Sequence, residues 1–225
     1  MQPAAAGGAV GAAHSRSPSP LGEDALAPLN LYSSKHRGEE STRCNEHDES
    51  LILTLAVAEE IRLLLPPRLQ ICDAWVCMYS LLRDGVSLRT LYDACGGTGG
   101  VRRAGYVLVV RDSAGGVFGA YLSHAPRISG HYYGTGECFL WNTKGMGKHG
   151  LRFTAALYGG INEYFIYGES TFLSIGGGDG RYGLWLGESF ERGESATCVT
   201  FGNEPLSEEG RRFDIVGVEL WRCPR

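Results

Sequence analysis

Apolar residues recur at Leu53, Val57, Ile61 and Leu64, with Glu59, Glu60 and Arg62 turned to the other side. This spacing predicts a helix of about three turns with one apolar stripe. Pro66 and Pro67 stop it, because proline has no amide hydrogen and drives the preceding residue out of the helical region. A second helix is predicted over residues 88–95, with Ser87 as its cap, Leu88, Leu91 and Tyr92 on its buried side, and Gly96 as a left-handed stop. Residues 74–80 (AWVCMYS), between the two helices, read as a strand.

From Gly105 onward the period of the pattern becomes two, the signature of half-buried strands. Residues 106–111 and 117–122 flank Asp112-Ser113-Ala114-Gly115-Gly116 and predict a β-hairpin. Residues 138–141, 151–154, 163–167, 172–175, 184–186 and 216–221 are further predicted strands. Many short strands separated by glycine turns, with helices only near the start, define an α+β class. The expected architecture is two antiparallel sheets packed as a β-sandwich with flanking helices. Strands and helices do not alternate, which disfavours a doubly wound sheet.

The N-terminal region reads differently. Residues 1 to 27 are rich in Ala, Gly, Ser and Pro, and Ser17-Pro18-Ser19-Pro20 favours extended backbone. Residues 38–50 (GEESTRCNEHDES) form a second polar stretch, expected as a solvated insertion. The predicted organisation is therefore a mostly disordered tail over 1–50 and one folded domain over 51–222.

Composition narrows the function. Apolar residues make up 43% of the chain and charged residues 20%, enough for one sizeable core. The 33 glycines cluster instead of recurring every third residue, which excludes a collagen helix. Twenty-one basic residues against 25 acidic ones give a charge of −4, so the cationic excess that nucleic-acid binding needs is missing. No run of roughly eighteen apolar residues points to membrane insertion. The start of the chain lacks the apolar stretch of a secretory signal, and its one arginine before Glu23, Arg16, cannot build the basic face of a targeting helix. The expected compartment is the mitochondrion or the cytoplasm. Seven scattered cysteines fit a reducing compartment better than a disulfide framework.

The motifs that suggest chemistry fail on context. Gly178-Asp179-Gly180-Arg181-Tyr182-Gly183 fits G-x-G-x-x-G, but it opens the alternating Leu184-Trp185-Leu186 where a dinucleotide site needs a helix, so a tight bend is expected. Gly147-Lys148 is followed by His149 where a phosphate loop requires Ser or Thr, and residues 142–150 are expected as a flexible loop. No G-x-S-x-G, C-x-x-C or H-x-x-x-H is present. Glu163, Glu169, Asp179, Glu188 and Glu191 are expected as solvated surface. No cofactor, no metal site and no catalytic residue is expected.

Whole segments carry more information than any of these motifs. Leu64-Leu65-Pro66-Pro67-Arg68-Leu69-Gln70 leads to Trp75, Tyr79-Ser80 and Gly85-Val86-Ser87-Leu88-Arg89-Thr90-Leu91-Tyr92. Val117-Phe118-Gly119-Ala120 and Tyr132-Tyr133-Gly134-Thr135-Gly136-Glu137-Cys138-Phe139 follow. The last segments are Gly176-Gly177-Gly178-Asp179-Gly180, Tyr182-Gly183-Leu184-Trp185-Leu186, Thr200-Phe201-Gly202-Asn203 and Glu219-Leu220-Trp221. In this order they resemble the TLDc domain of oxidation resistance proteins, and Glu204-Pro205-Leu206-Ser207 with Tyr32-Ser33-Ser34-Lys35-His36-Arg37 resembles the short fungal members. The likeness spans residues 51–222; residues 38–50 look inserted, and 142–150 fall where the family varies. The resemblance implies a helix-flanked β-sandwich, protection against oxidative damage, and no established enzymatic reaction. It also implies binding to the V1 sector of the vacuolar-type proton ATPase, promoting its disassembly. Short fungal members are placed in mitochondria, whereas ATPase binding needs cytosolic access. A monomer is expected. The rival reading is direct thiol-based peroxide scavenging: the family has a cysteine three positions before Phe-Gly-Asn, here Cys198. A reactive thiol needs a nearby cation or helix N-terminus, and the nearest cation in sequence is Arg192, so Cys198 reads as a small buried residue in a strand.

Overall fold

Two sheets share one long strand. The computed structural model describes residues 26–33, 42–44, 50–96, 104–147 and 150–224. Its early elements are β1 (Asn30–Ser33), β2 (Thr42–Arg43), α1 (Leu55–Leu64), α2 (Pro67–Gln70), β3 (Ala74–Ser80), α3 (Leu81–Asp84) and α4 (Leu88–Gly96). Strands β4 (Gly105–Asp112), β5 (Val117–Leu122), β6 (Phe139–Gly147), β7 (Gly150–Ala156) and β8 (Ile166–Gly168) follow. The chain closes with β9 (Phe172–Gly178), β10 (Arg181–Gly187), β11 (Arg192–Glu194) and β12 (Arg212–Cys223).

The first half of β12 pairs with β11 and continues the second sheet through β10, β9 and β8. Its second half lies between β4 and β3 in the first sheet, which runs on through β5 and β6 to β7 at the edge. A bulge lets one strand serve both sheets: Ile215 pairs with Asp112 and Gly217 with Arg111, leaving Val216 unpaired and 55% exposed. The extra residue shifts the alternation by one. Phe213 and Ile215 before the bulge, and Val218 and Leu220 after it, thus all face the core between the sheets.

That core packs Leu108, Val110, Phe118, Ala120 and Leu140 of the first sheet against Leu173, Ile175, Leu184 and Leu186 of the second. The opposite face of the first sheet carries Trp75, Val107, Val109, Trp141 and Trp221, covered by Val57, Ala58 and Ile61 of α1 and Leu69 of α2. β4 is therefore buried on both faces, which explains its unbroken run Val107-Leu108-Val109-Val110. α1 begins where the Thr54 hydroxyl accepts the Val57 N–H and ends at Leu65, whose ψ of 157° is set by Pro66.

The α+β sandwich matches the sequence expectation, and β3 has the predicted bounds. Gly178, Asp179 and Gly180, with φ of 126°, 53° and 69°, make the tight β9–β10 bend. Three expectations are corrected. Gly96 is the last residue of α4 and has no positive φ, so it is not a left-handed stop. Cys198 lies in the irregular segment after β11 and not in a strand, because its backbone N–H is taken by the Asn203 side chain. Residues 142–150 are not a flexible loop: β6 continues to Gly147 and β7 starts at Gly150, and only 148–149 lie outside the described residues. Cross-strand backbone bonds hold this polar stretch, and composition does not register them. Of the predicted tail, residues 1–25, 34–41 and 45–49 lie outside the described residues. Asn30–Ser33 pairs in parallel with β3, and Thr42–Arg43 pairs with β1. Leu29 and Leu31 are buried in the helix-side core.

Candidate interaction groove

Along β6 and β7, the even-numbered residues share one face. Register pairs Leu140 with Ala156, Asn142 with Thr154 and Lys144 with Arg152. Together they floor a groove of about 380 Å³ walled by Phe201, Gly202, Asn203, Glu204 and Leu206. The floor grades from apolar at Leu140 and Ala156, beside the inter-sheet core, to cationic at Lys144 and Arg152. Between the two ends the Thr154 hydroxyl donates to Asn142 Oδ1 at 2.6 Å.

The wall is pinned from behind. Asn203 Oδ1 accepts the Cys198 N–H at 3.3 Å and the Cys198 thiol at 3.2 Å, while Nδ2 donates to the carbonyls of Ala196 and Glu204 at 3.0 and 2.9 Å. Gly202, at φ 59°, makes the turn and donates its N–H to the Cys198 carbonyl. The Leu206 N–H bonds Ser195 Oγ, which itself donates to the Gly183 carbonyl. These bonds fix the backbone and leave the Glu204 carboxylate free to project, 88% exposed and 3.8 Å from Lys144 Nζ.

Cys198 sits behind this wall at 3% exposure. Burial pushes its thiol above the usual range, against the pull of hydrogen bonds from the Phe201 and Thr200 backbone. Gly176 and Gly183 press on it: a Cβ at either would stand 2.8 or 3.1 Å from Sγ. Cys198 is expected to react with a fluorescent maleimide at least about 100-fold more slowly than free cysteine in native buffer, since the thiolate is the nucleophile. Peroxide consumption by Cys198→Ser is expected to equal that of the parent; a loss would make the thiol the reactive group.

Sequence reasoning missed another cluster. Ser123 Oγ lies 3.0 Å from His124 Nδ1 and 3.3 Å from Cys138 Sγ, a grouping with the elements of a nucleophile and base. However, Ser123 Oγ already accepts the Thr135 N–H at 3.0 Å, and burial raises the Cys138 thiol. Neither residue lines the groove. These contacts tie the end of β5 to the turn before β6. Burial lowers the His124 pKa, which keeps the imidazole neutral near pH 7.

The acids around the glycine turns stay dispersed. Glu163, Asp179, Glu188 and Glu191 are exposed, and Glu169 accepts a bond from the Tyr167 hydroxyl. Among the described residues, no group of three or more His, Cys, Asp or Glu is placed to hold a metal ion. No described helix is long and apolar enough to cross a membrane.

The fold and the groove define the class: an α+β β-sandwich module with a charged groove at one rim of its larger sheet. The chain belongs to the TLDc domain family, whose profile matches residues 46–224. It is 46% identical over 243 residues to Oxidation resistance protein 1 of Podospora anserina, covering 92% of this chain and 68% of that protein. To the protein of that name from Kluyveromyces lactis it is 40% identical, covering 89% of this chain and 82% of the relative. The Saccharomyces cerevisiae relative of the same name is 41% identical, over 76% and 72% of the two chains.

Proposed function

We propose that this protein is a non-catalytic protein-binding module that supports resistance to oxidative damage. Its partner in this reading is the V1 sector of the vacuolar-type proton ATPase, whose disassembly it promotes. Relatives named Oxidation resistance protein 1 support the stress role. The observation that carries the binding role is the groove: its wall is rigidly pinned, its mouth is charged, and the thiol behind it is buried. This arrangement suits recognition better than turnover.

Binding alone suffices for such a role. A module that holds a separated or distorted V1 state more tightly than the assembled one shifts the equilibrium by its difference in affinity, about 1.4 kcal/mol for each tenfold. The protein acts as a monomer, and this activity requires a cytosolic pool. Immobilised protein is expected to retain V1 from a mixture of dissociated V1 and assembled ATPase, with weaker retention of the assembled complex. Failure to retain either overturns the reading.

A further inference from the structure

We propose that the groove and the open edge of β7 form a docking site for an extended acidic segment of a partner protein. The segment adds as a strand beside β7 and sets a carboxylate beside Arg152, on the face that Lys144 shares. This inference deepens the binding role above and rests on it.

Three observations converge on this rim. Lys144 and Arg152 are direct cross-strand partners, and like charges directly opposite each other destabilise an antiparallel pair. An anion on the same face beside the pair offsets that cost. Among the described residues, Glu204 pairs with Lys144, and Arg152 has no carboxylate within 4 Å. The Lys144–Glu204 contact is long, and Glu204 is almost fully exposed, so an incoming carboxylate displaces it at little cost.

The second observation is the edge itself. β7 is the last strand of its sheet, and among the described residues no strand pairs with its outer side. Exposed edges are commonly blunted by proline, a bulge or inward-pointing charge. β7 has no proline over its seven residues, the register shift of this hairpin falls between Lys144 and Met146 on β6, and the one charge on β7, Arg152, repels cationic strands and admits acidic ones. An added strand runs about 4.8 Å away, so the side chains beside Arg152 reach its guanidinium.

The third is the grading of the floor. Alternate residues of an added strand face the same side of the sheet. An acidic residue opposite Arg152 thus places its neighbour two positions along beside Thr154, and the next beside Ala156. The matching occupant alternates, with an acid at one end of the groove face and small or apolar residues toward the other. Charge complementarity selects its sign, and the unpaired backbone selects its extended form.

The test uses the full chain and fluorescence anisotropy. The probes are labelled, capped peptides of about nine residues, long enough to span the seven of β7. One alternates glutamate with threonine and one alternates lysine with threonine. A third is the glutamate peptide N-methylated at alternate amides. The glutamate peptide is expected to bind, and both other peptides at least tenfold more weakly. The double reversal Lys144→Glu with Arg152→Glu keeps like charges opposed and loses only the exposed Lys144–Glu204 contact, so its melting temperature is expected within a few degrees of the parent while glutamate-peptide affinity falls at least tenfold. Glu204→Gln removes the internal competitor and is expected to tighten binding about threefold. Arg181→Glu, at the remote β9–β10 bend, is expected to change nothing.

Absence of glutamate-peptide binding, equal binding of the lysine peptide, or full affinity in the double reversal overturns the proposal. Equal binding of the N-methylated peptide reduces the rim to a general anion site and overturns strand addition. A double reversal that loses the peptide but retains V1 overturns this inference as a description of the V1 surface, with the V1 reading intact. Loss of V1 retention by the parent protein, with peptide binding preserved, removes V1 as partner and leaves the site standing.

Discussion

Replacing Glu219 with alanine is expected to lower the free energy of unfolding by about 4 kcal/mol, a large share of what a domain of this size possesses. Glu219 has no exposed surface. Its Oε1 accepts the Ile52 N–H at 2.7 Å, and Oε2 accepts the Leu53 N–H at 3.1 Å and the Trp221 indole N–H at 2.8 Å. Ile52 and Leu53 lead into α1, so one carboxylate fastens the covering helix to the central strand. Truncation strands three buried donors, each costing about 1–3 kcal/mol, partly offset where water enters the new space. Urea titration of the two proteins checks the difference; a change under about 1 kcal/mol means the donors have other partners.

Glu219→Gln separates charge from packing. The amide keeps one acceptor but turns an N–H toward another, so the loss is expected to be about half as large. Burial pushes the Glu219 carboxyl above the ordinary carboxylate value, against the pull of the Ile52, Trp221 and Leu53 donors. The folded state therefore holds this proton more tightly than the unfolded chain. The resulting stability is fully present below the unfolded value, about 4.3, and disappears as pH rises through the folded one. The melting-temperature gap between parent and Glu219→Gln is thus expected to be widest near pH 4 and to narrow above it. A gap that grows with pH would mean that the donors outweigh burial.

How much of this was legible beforehand depended on length and period. α1, β3 and the β4–β5 hairpin carry enough alternating or helically spaced apolar residues to be read directly. β1 has four residues, β11 three and β2 two, too few for any period to show, and each exists because a neighbouring strand offers its backbone. The groove was hidden for a related reason. Asn142 and Lys144 have the composition of a loop, Arg152 and Thr154 fall in a predicted strand, and only the register of β6 on β7 brings the four to one face. Asn203 was visible as part of a family segment, but its work as a pin depends on the Gly202 turn bringing its amide back onto Cys198. The Ser123–His124–Cys138 contacts show the converse: they join residues fifteen apart into a chemical grouping whose hydroxyl already accepts a backbone N–H from the neighbouring turn.

Gly119→Val is expected to leave no folded protein at 25 °C. Gly119 lies in the middle of β5, opposite Val109 on β4 and Trp141 on β6. A Cβ there runs into the Leu108 carbonyl oxygen and stands 3.1 Å from Cζ2 of Trp141. Neither obstacle yields. Leu108 belongs to a strand buried on both faces, and Trp141 is fully buried and stacked on Phe153 with ring centroids 6.1 Å apart. Overpacking of this kind costs roughly 1–3 kcal/mol even where side chains can move, and more where the obstacle is backbone. Gly119→Ala is expected to remain partly folded, with the strain passed through Trp141 and Phe153 into the β6–β7 rim, so it weakens the groove before it unfolds the core. Gly85→Ala is the control: its φ of 84° and ψ of 170° lie in a region open almost only to glycine, but a Cβ there meets nothing within 4 Å. Its loss is expected at about 1–3 kcal/mol, from backbone strain alone. Soluble yield, near-ultraviolet circular dichroism and amide exchange of β6 and β7 check the series. A Gly119→Val protein that melts within a few degrees of the parent would show that β4 and β5 do not approach as closely as the structure places them.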